Sequence, residues 1–204
     1  AKVRAEREAA VAHRQDAITG VSDFADLSEV PVKVLEIKPT VAAPSPVTIT
    51  FAPLTRIRLA EPFEILRDVS DRVLAASGAR PKVFLANLGT PADFNTRASF
   101  AKSFFEAGGI EAATNEIDGD SAKLVVVFKI SGAKIVCLCS SDDIYAKEAA
   151  EAAKALAAAG AKHIYLAGRP RDHETAFKAA GVGTFVFTGC DAVAVLTKAY
   201  EFFR

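Results

Sequence analysis

Between Gly89 and Thr96 the chain reads GTPADFNT, two threonine hydroxyls, a carboxylate and a proline ahead of a helical pattern. Hydroxyls and free amides at the start of a helix can cradle a phosphate group. Two features oppose that chemistry here. Pro91 removes an amide donor, and no glycine follows to let the backbone wrap an anion. An ordinary capped turn is the reading these residues favour. A magnesium site built from clustered carboxylates would need several acids at the strand ends. Only Asp93 lies near the first strand, with Asp142 and Asp143 after the third, and acids at such places serve as helix caps.

Other reactive side chains are scattered. His13, His163 and His173 lie far apart, and none has a histidine or cysteine three or four residues away to share a metal. His163 precedes a strand and should lie away from the ligand edge of a sheet, whereas His173 follows one and reads as a solvated loop residue. Cys137 and Cys139 are expected to pack within the third strand, and Cys190 in the loop after the fifth. The first two are taken to face opposite sides of their strand and so to be unable to pair. Three cysteines without a disulfide framework suit a reducing compartment. Ser140-Ser141 and Ala167-Gly168 supply small residues after the third and fourth strands, where something could approach the backbone closely.

These residues are positioned by a regular βα pattern that begins near Pro81. Apolar runs at Val83–Ala86, Ile110–Ala113, Ile135–Leu138, Ile164–Ala167 and Thr184–Phe187 read as strands. Helical patterns fill the intervals, at Asp93–Ala107, Asp120–Ser131, Asp143–Ala159, Asp172–Ala179 and Asp191–Phe203. An aspartate lies near each helix start, and Gly109, Gly132, Gly160 and Gly181 close four of the helices. Continuous apolar strands alternating with helices predict an α/β domain: a (βα)5 doubly wound parallel sheet of the flavodoxin-like kind, covered on both faces over residues 81–204. Its ligand edge is the carboxyl end of the strands, where Gly89–Thr96 lies.

Residues 1–80 are read as an irregular wrapping segment. A charged helix over Lys2–Ile18 has only a thin apolar stripe, too little to be stable in isolation. Gly20–Pro31 is turn-like. Pro39, Pro44, Pro46 and Pro53 then punctuate two β-like pieces, around Val32–Ile37 and Val47–Phe51, as suits an extended chain lying over another surface. Glu61–Leu74 returns to helical spacing, with Phe63, Leu66, Val69 and Val73 on one face.

Half of the 204 residues are apolar, and 25 basic side chains balance 25 acidic ones. That balance gives no electrostatic reason to expect nucleic acid or an anionic membrane. No apolar run approaches the roughly 20 residues a membrane-spanning helix needs, and the charged opening AKVRAERE is unlike a secretory signal. The lack of any methionine suggests a piece of a longer polypeptide.

The segments RPKVFLANLGTPADFNTRASFAKSFFEAGGIEA, CLCSSDDIYA and KHIYLAGRP resemble the cobalamin-binding domain of adenosylcobalamin-dependent acyl-CoA mutases. Within that group the chain is most similar to the methylmalonyl-CoA mutase small (beta) subunits. AEREAAVAHRQDAITGVSDF and RLAEPFEILRD resemble the segment that joins their N-terminal barrel to this domain. The resemblance implies that residues 1–80 follow a missing barrel and that residues 81–204 form a cobalamin-binding-like domain. Cobalamin-binding members carry Asp-x-His-x-x-Gly in the first loop, whose histidine supplies the lower ligand to cobalt. The matching positions here are Pro91, Asp93 and Thr96, so every member of the triplet is replaced, and Phe94 is placed to enter the vacated slot. Gly89, Ser140, Ser141 and Gly168 are the retained loop positions, with Ala167 in place of the first glycine of a pair.

The resemblance therefore implies a chain with no catalytic residue, no metal and no cobalamin of its own. Its partner would be the mutase large subunit, which holds adenosylcobalamin and interconverts (R)-methylmalonyl-CoA and succinyl-CoA by a radical rearrangement. The compartment implied is the bacterial cytoplasm. The alternative is a domain that still binds cobalamin directly and takes part in the reaction.

Overall fold

The structure, a computed structural model, describes residues 2–30, 35, 58–114 and 121–203, with backbone alone at 121 and 122. The two β-like pieces expected between residues 32 and 51, and the Asp120 helix start, lie outside the described residues.

Five parallel strands form one sheet in the order β2-β1-β3-β4-β5. They are β1 (Lys82–Asn87), β2 (Glu111–Thr114), β3 (Ile135–Cys139), β4 (His163–Ala167) and β5 (Val182–Val186). This is the flavodoxin-like doubly wound order, in which the chain reverses its direction of travel between β1 and β3. The helices are α1 (Lys2–Ala12), α2 (Glu61–Ser77), α3 (Pro91–Ala107), α4 (Ser121–Ser131), α5 (Asp142–Ile144), α6 (Ala150–Ala158), α7 (Glu174–Ala179) and α8 (Ala192–Ala199). A π-helical turn, Tyr145–Ala149, joins α5 to α6 without a break.

Alternate strand residues feed two cores, as the two-residue period of a sheet requires. On one face Val83, Leu85, Ile135, Cys137, Tyr165 and Val186 pack under α3 and α8. On the other, Phe84, Ala86, Val136, Leu138, Ile164 and Leu166 pack under α4, α6 and α7. Cys137 and Cys139 both belong to the first face. The expectation that they point apart is thus corrected: residues two apart on a strand share a face. Both are free, fully buried thiols, with the Cys139 Sγ 3.6 Å from the Cys137 carbonyl.

Parts of α1 and α2 pack against the first face. Phe63 and Leu66 of α2 and Val11 of α1 join that core. Ser70 donates to the Gly109 carbonyl at 2.6 Å, and Tyr200 donates to Leu66 and Gly108 carbonyls at 3.0 and 2.6 Å. Gly109 has φ +80°, and a Cβ there would sit 2.6 Å from that of Ser70, so only glycine lets α2 approach this turn. Arg14 reaches Asp23 at 2.7 Å and Ser103 at 2.9 Å, pinning the turn after α1 to α3.

Candidate functional site

The expected loop Gly89–Thr96 is shorter than its sequence suggests, because α3 starts at Pro91 rather than Asp93. Proline is at home in the first helical position, where its missing amide would have had no partner. Thr90 is the N-cap, and Asp93, three residues further on in the first turn, bonds back to it. The Asp93 Oδ2 accepts from the Thr90 amide at 2.9 Å and the Thr90 hydroxyl at 2.7 Å, while Ser141 donates to Oδ1 at 3.4 Å. The Thr90 hydroxyl, then its amide, hold this carboxyl below its ordinary pKa. Gly89, at φ +76°, lies beneath it, and a Cβ there would come within 2.9 Å of Oδ2. Pro91 and Thr96 are exposed on α3, and Phe94 is half-buried.

The ends of β1 and β3 are joined directly. Leu88 donates its amide to the Cys139 carbonyl at 3.1 Å, and the buried Ser140 hydroxyl donates to the Leu88 carbonyl at 2.8 Å. Ser141 caps α5, its hydroxyl accepting from the Ile144 amide at 3.4 Å. The Tyr145 phenol lies between β3 and β4. It accepts from the Ser140 amide at 2.9 Å and faces the Leu138 and Ala167 carbonyls at 2.8 and 2.9 Å. Burial pushes this phenol's pKa well up, so it stays protonated as a donor.

Above Tyr145 lies a group of side chains that the sequence patterns do not single out. The Arg97 guanidinium, from α3, stacks 5.0 Å over the Tyr145 ring and pairs with Asp142. The other Asp142 oxygen takes the Arg171 Nε at 2.8 Å. These cations, Arg97 first, lower the Asp142 pKa. Gly168, with φ +143°, lies against the edge of the Arg97 guanidinium, where a Cβ would meet Nη1 at 2.9 Å. So Gly89, Asp93, Ser140, Ser141 and Gly168 come together on one rim, whereas Pro91 and Thr96 are exposed on α3. Arg97, Asp142 and Tyr145 complete it. Asp142 reads in sequence only as a cap, and a single arginine on a helix gives no hint of a partner 45 residues away.

Reactive groups elsewhere have settled surroundings. Among the described residues no group of three histidine, cysteine, aspartate or glutamate side chains could hold a metal ion. Burial pushes the Cys137 thiol pKa well up, which suits packing rather than nucleophilic attack. His163 begins β4, at the edge opposite the rim, and His173 lies in the short 3-10 turn Arg171–His173, its ring 5.6 Å from that of Phe177.

Strand order and rim together define a flavodoxin-like α/β domain with a polar, internally bonded ligand edge. No family model matches the chain. The methylmalonyl-CoA mutase small subunit of Streptomyces virginiae is 44% identical over 197 residues, covering 97% of this chain and 29% of that protein. The small subunit from Propionibacterium freudenreichii subsp. shermanii is 42% identical over 164 residues, 80% of this chain and 24% of that protein. A probable methylmalonyl-CoA mutase small subunit of Mycobacterium bovis is 36% identical over 169 residues, 82% and 25% of the two chains. Over the length it spans, the chain is similar to methylmalonyl-CoA mutase small subunits at 36–44% identity. That length is about a quarter of the curated relatives it matches. Among solved structures, a cobalamin-binding protein from Desulfitobacterium hafniense DCB-2 aligns with 69% of this chain and 67% of that one, at TM-score 0.45 and 22% identity.

Proposed function

We propose that this chain is the non-catalytic C-terminal region of a methylmalonyl-CoA mutase small subunit and that its role is structural. Residues 81–204 would be a cobalamin-binding-like domain that holds no corrinoid, and residues 1–80 its link to an N-terminal barrel. The subunit would stabilise a heterodimer with a large subunit. That partner would carry the adenosylcobalamin and interconvert (R)-methylmalonyl-CoA and succinyl-CoA in the bacterial cytoplasm.

The observation that carries the reading is the fate of Asp93. It takes the place of a metal-ligating imidazole, yet its carboxylate turns back into the cap of its own helix and onto Ser141. Three hydrogen bonds already occupy that carboxylate, and it is a poor substitute for neutral imidazole on a transition ion. Burial holds the Cys137 thiol and the Tyr145 phenol protonated, which suits neither for attack as a nucleophile or base. No helix among the described residues is long and apolar enough to cross a membrane. Co-expression of the full-length small subunit with a large subunit is the test of the partner claim. A one-to-one complex that survives gel filtration is expected; two independently migrating proteins would contradict it.

A further inference from the structure

In open α/β sheets, ligands bind in the crevice outside the carboxyl ends of the strands, where strand order reverses. In this chain side chains from the elements after β1 and β3 meet at that edge in two layers. Tyr145 ties the ends of β3 and β4 from below, and Arg97 covers its ring. The upper layer has the form of a recognition site for a planar cation. An aromatic face lies beneath the guanidinium, a carboxylate pairs with it from the side, and a glycine leaves room for its edge. The Arg97 Nη1, buried against Gly168, has no acceptor, so shape and charge set the fit rather than a full set of hydrogen bonds.

We propose that the crevice is self-occupied: Arg97 is its resident ligand, and Tyr145, Asp142 and Gly168 form a site for a guanidinium-type cation. The proposal rests on the reading above that no external cofactor takes this space. Arg171 holds Asp142 from its outer side, so the carboxylate keeps its place when Arg97 is removed. A free guanidinium could then enter.

Arg97→Ala in the full chain tests this, with methylguanidinium as the probe. The variant's thermal midpoint should fall by about 3–6 °C. Methylguanidinium at ~10 mM should restore at least half of that loss while leaving the unaltered protein unmoved, since a ligand stabilises only the state with a vacant site. Equal responses from the two proteins, or a variant as stable as the original, would overturn the proposal. A variant that folds only with methylguanidinium present supports it. If Arg97→Ala folds in neither condition, Arg97→Lys takes its place, because lysine keeps the charge without the planar fork. The Ser140 amide, bonded to Tyr145, should then exchange at least ~tenfold faster than in the original, and unchanged exchange would overturn the proposal. Adenosylcobalamin added in parallel separates the two claims. Retention by the unaltered chain contradicts the structural role, whereas failed rescue with no corrinoid retained contradicts self-occupancy alone.

Discussion

His163 lies at the amino-terminal edge of β4, its ring stacked 4.5 Å from Phe202 and edge-on to Tyr165, with Nε2 2.9 Å from the Thr184 hydroxyl. A Cβ on Gly183 would come within 2.3 Å of the ring, so β5 also fits around it. Burial, and then the charge of Lys198, lower its pKa from 6.5 to about 4. In the unfolded chain the imidazole titrates near its ordinary value. Between the two values the unfolded state binds more protons, so stability falls as pH drops through that window. Allowing for partial solvent exposure, the loss should be about 1–2 kcal/mol. Urea unfolding at pH 7 and pH 5 should show it, and His163→Gln should flatten the difference. An equal pH slope in both proteins would remove His163 as the cause. Tyr145 offers a second test at this scale. Tyr145→Phe keeps the ring under Arg97 but strands the Ser140 amide and removes the one donor shared by the Leu138 and Ala167 carbonyls, at a cost of about 1–3 kcal/mol in urea unfolding.

At the scale of elements, α2 packs into the core of the sheet that follows it. Phe63 is fully buried in the same core as α3 and the sheet. Phe63→Ala should therefore cost about 3–5 kcal/mol in a single cooperative transition. A small loss, or a separate early transition, would show α2 to be merely attached. Most elements were legible in the residues, for local reasons. Gly109, Gly132, Gly160 and Gly181 all adopt positive φ where helices had to stop. The misreadings are physical too. Pro91 suggested a loop although it opens a helix. Gly183 obscured the start of β5, because glycine gives no apolar signal. The charged helix expected to reach Ile18 ends at Ala12, and Arg14 follows with φ 55° while paired to Asp23. The helix expected over Asp143–Ala159 carries a π turn at Tyr145, which no local pattern marks. The candidate rim was legible by position only. Gly89, Asp93, Ser140, Ser141 and Gly168 come together because the topology brings strand ends together. Arg97 and Asp142 went unseen because their pairing depends on tertiary geometry.

At the scale of the whole molecule, the chain spans less than a third of the methylmalonyl-CoA mutase small subunits it matches. Its ligand edge is stitched between β1 and β3, bridged by Tyr145 and covered by Arg97. A rim ordered by its own side chains accords with the structural role proposed above. The most direct measurement is equilibrium binding of adenosylcobalamin and hydroxocobalamin to the purified chain, followed by desalting and a visible spectrum of the protein fraction. The account predicts that the corrinoid separates completely from the protein. One corrinoid retained per chain, with a spectrum shifted by a protein ligand on cobalt, would contradict it.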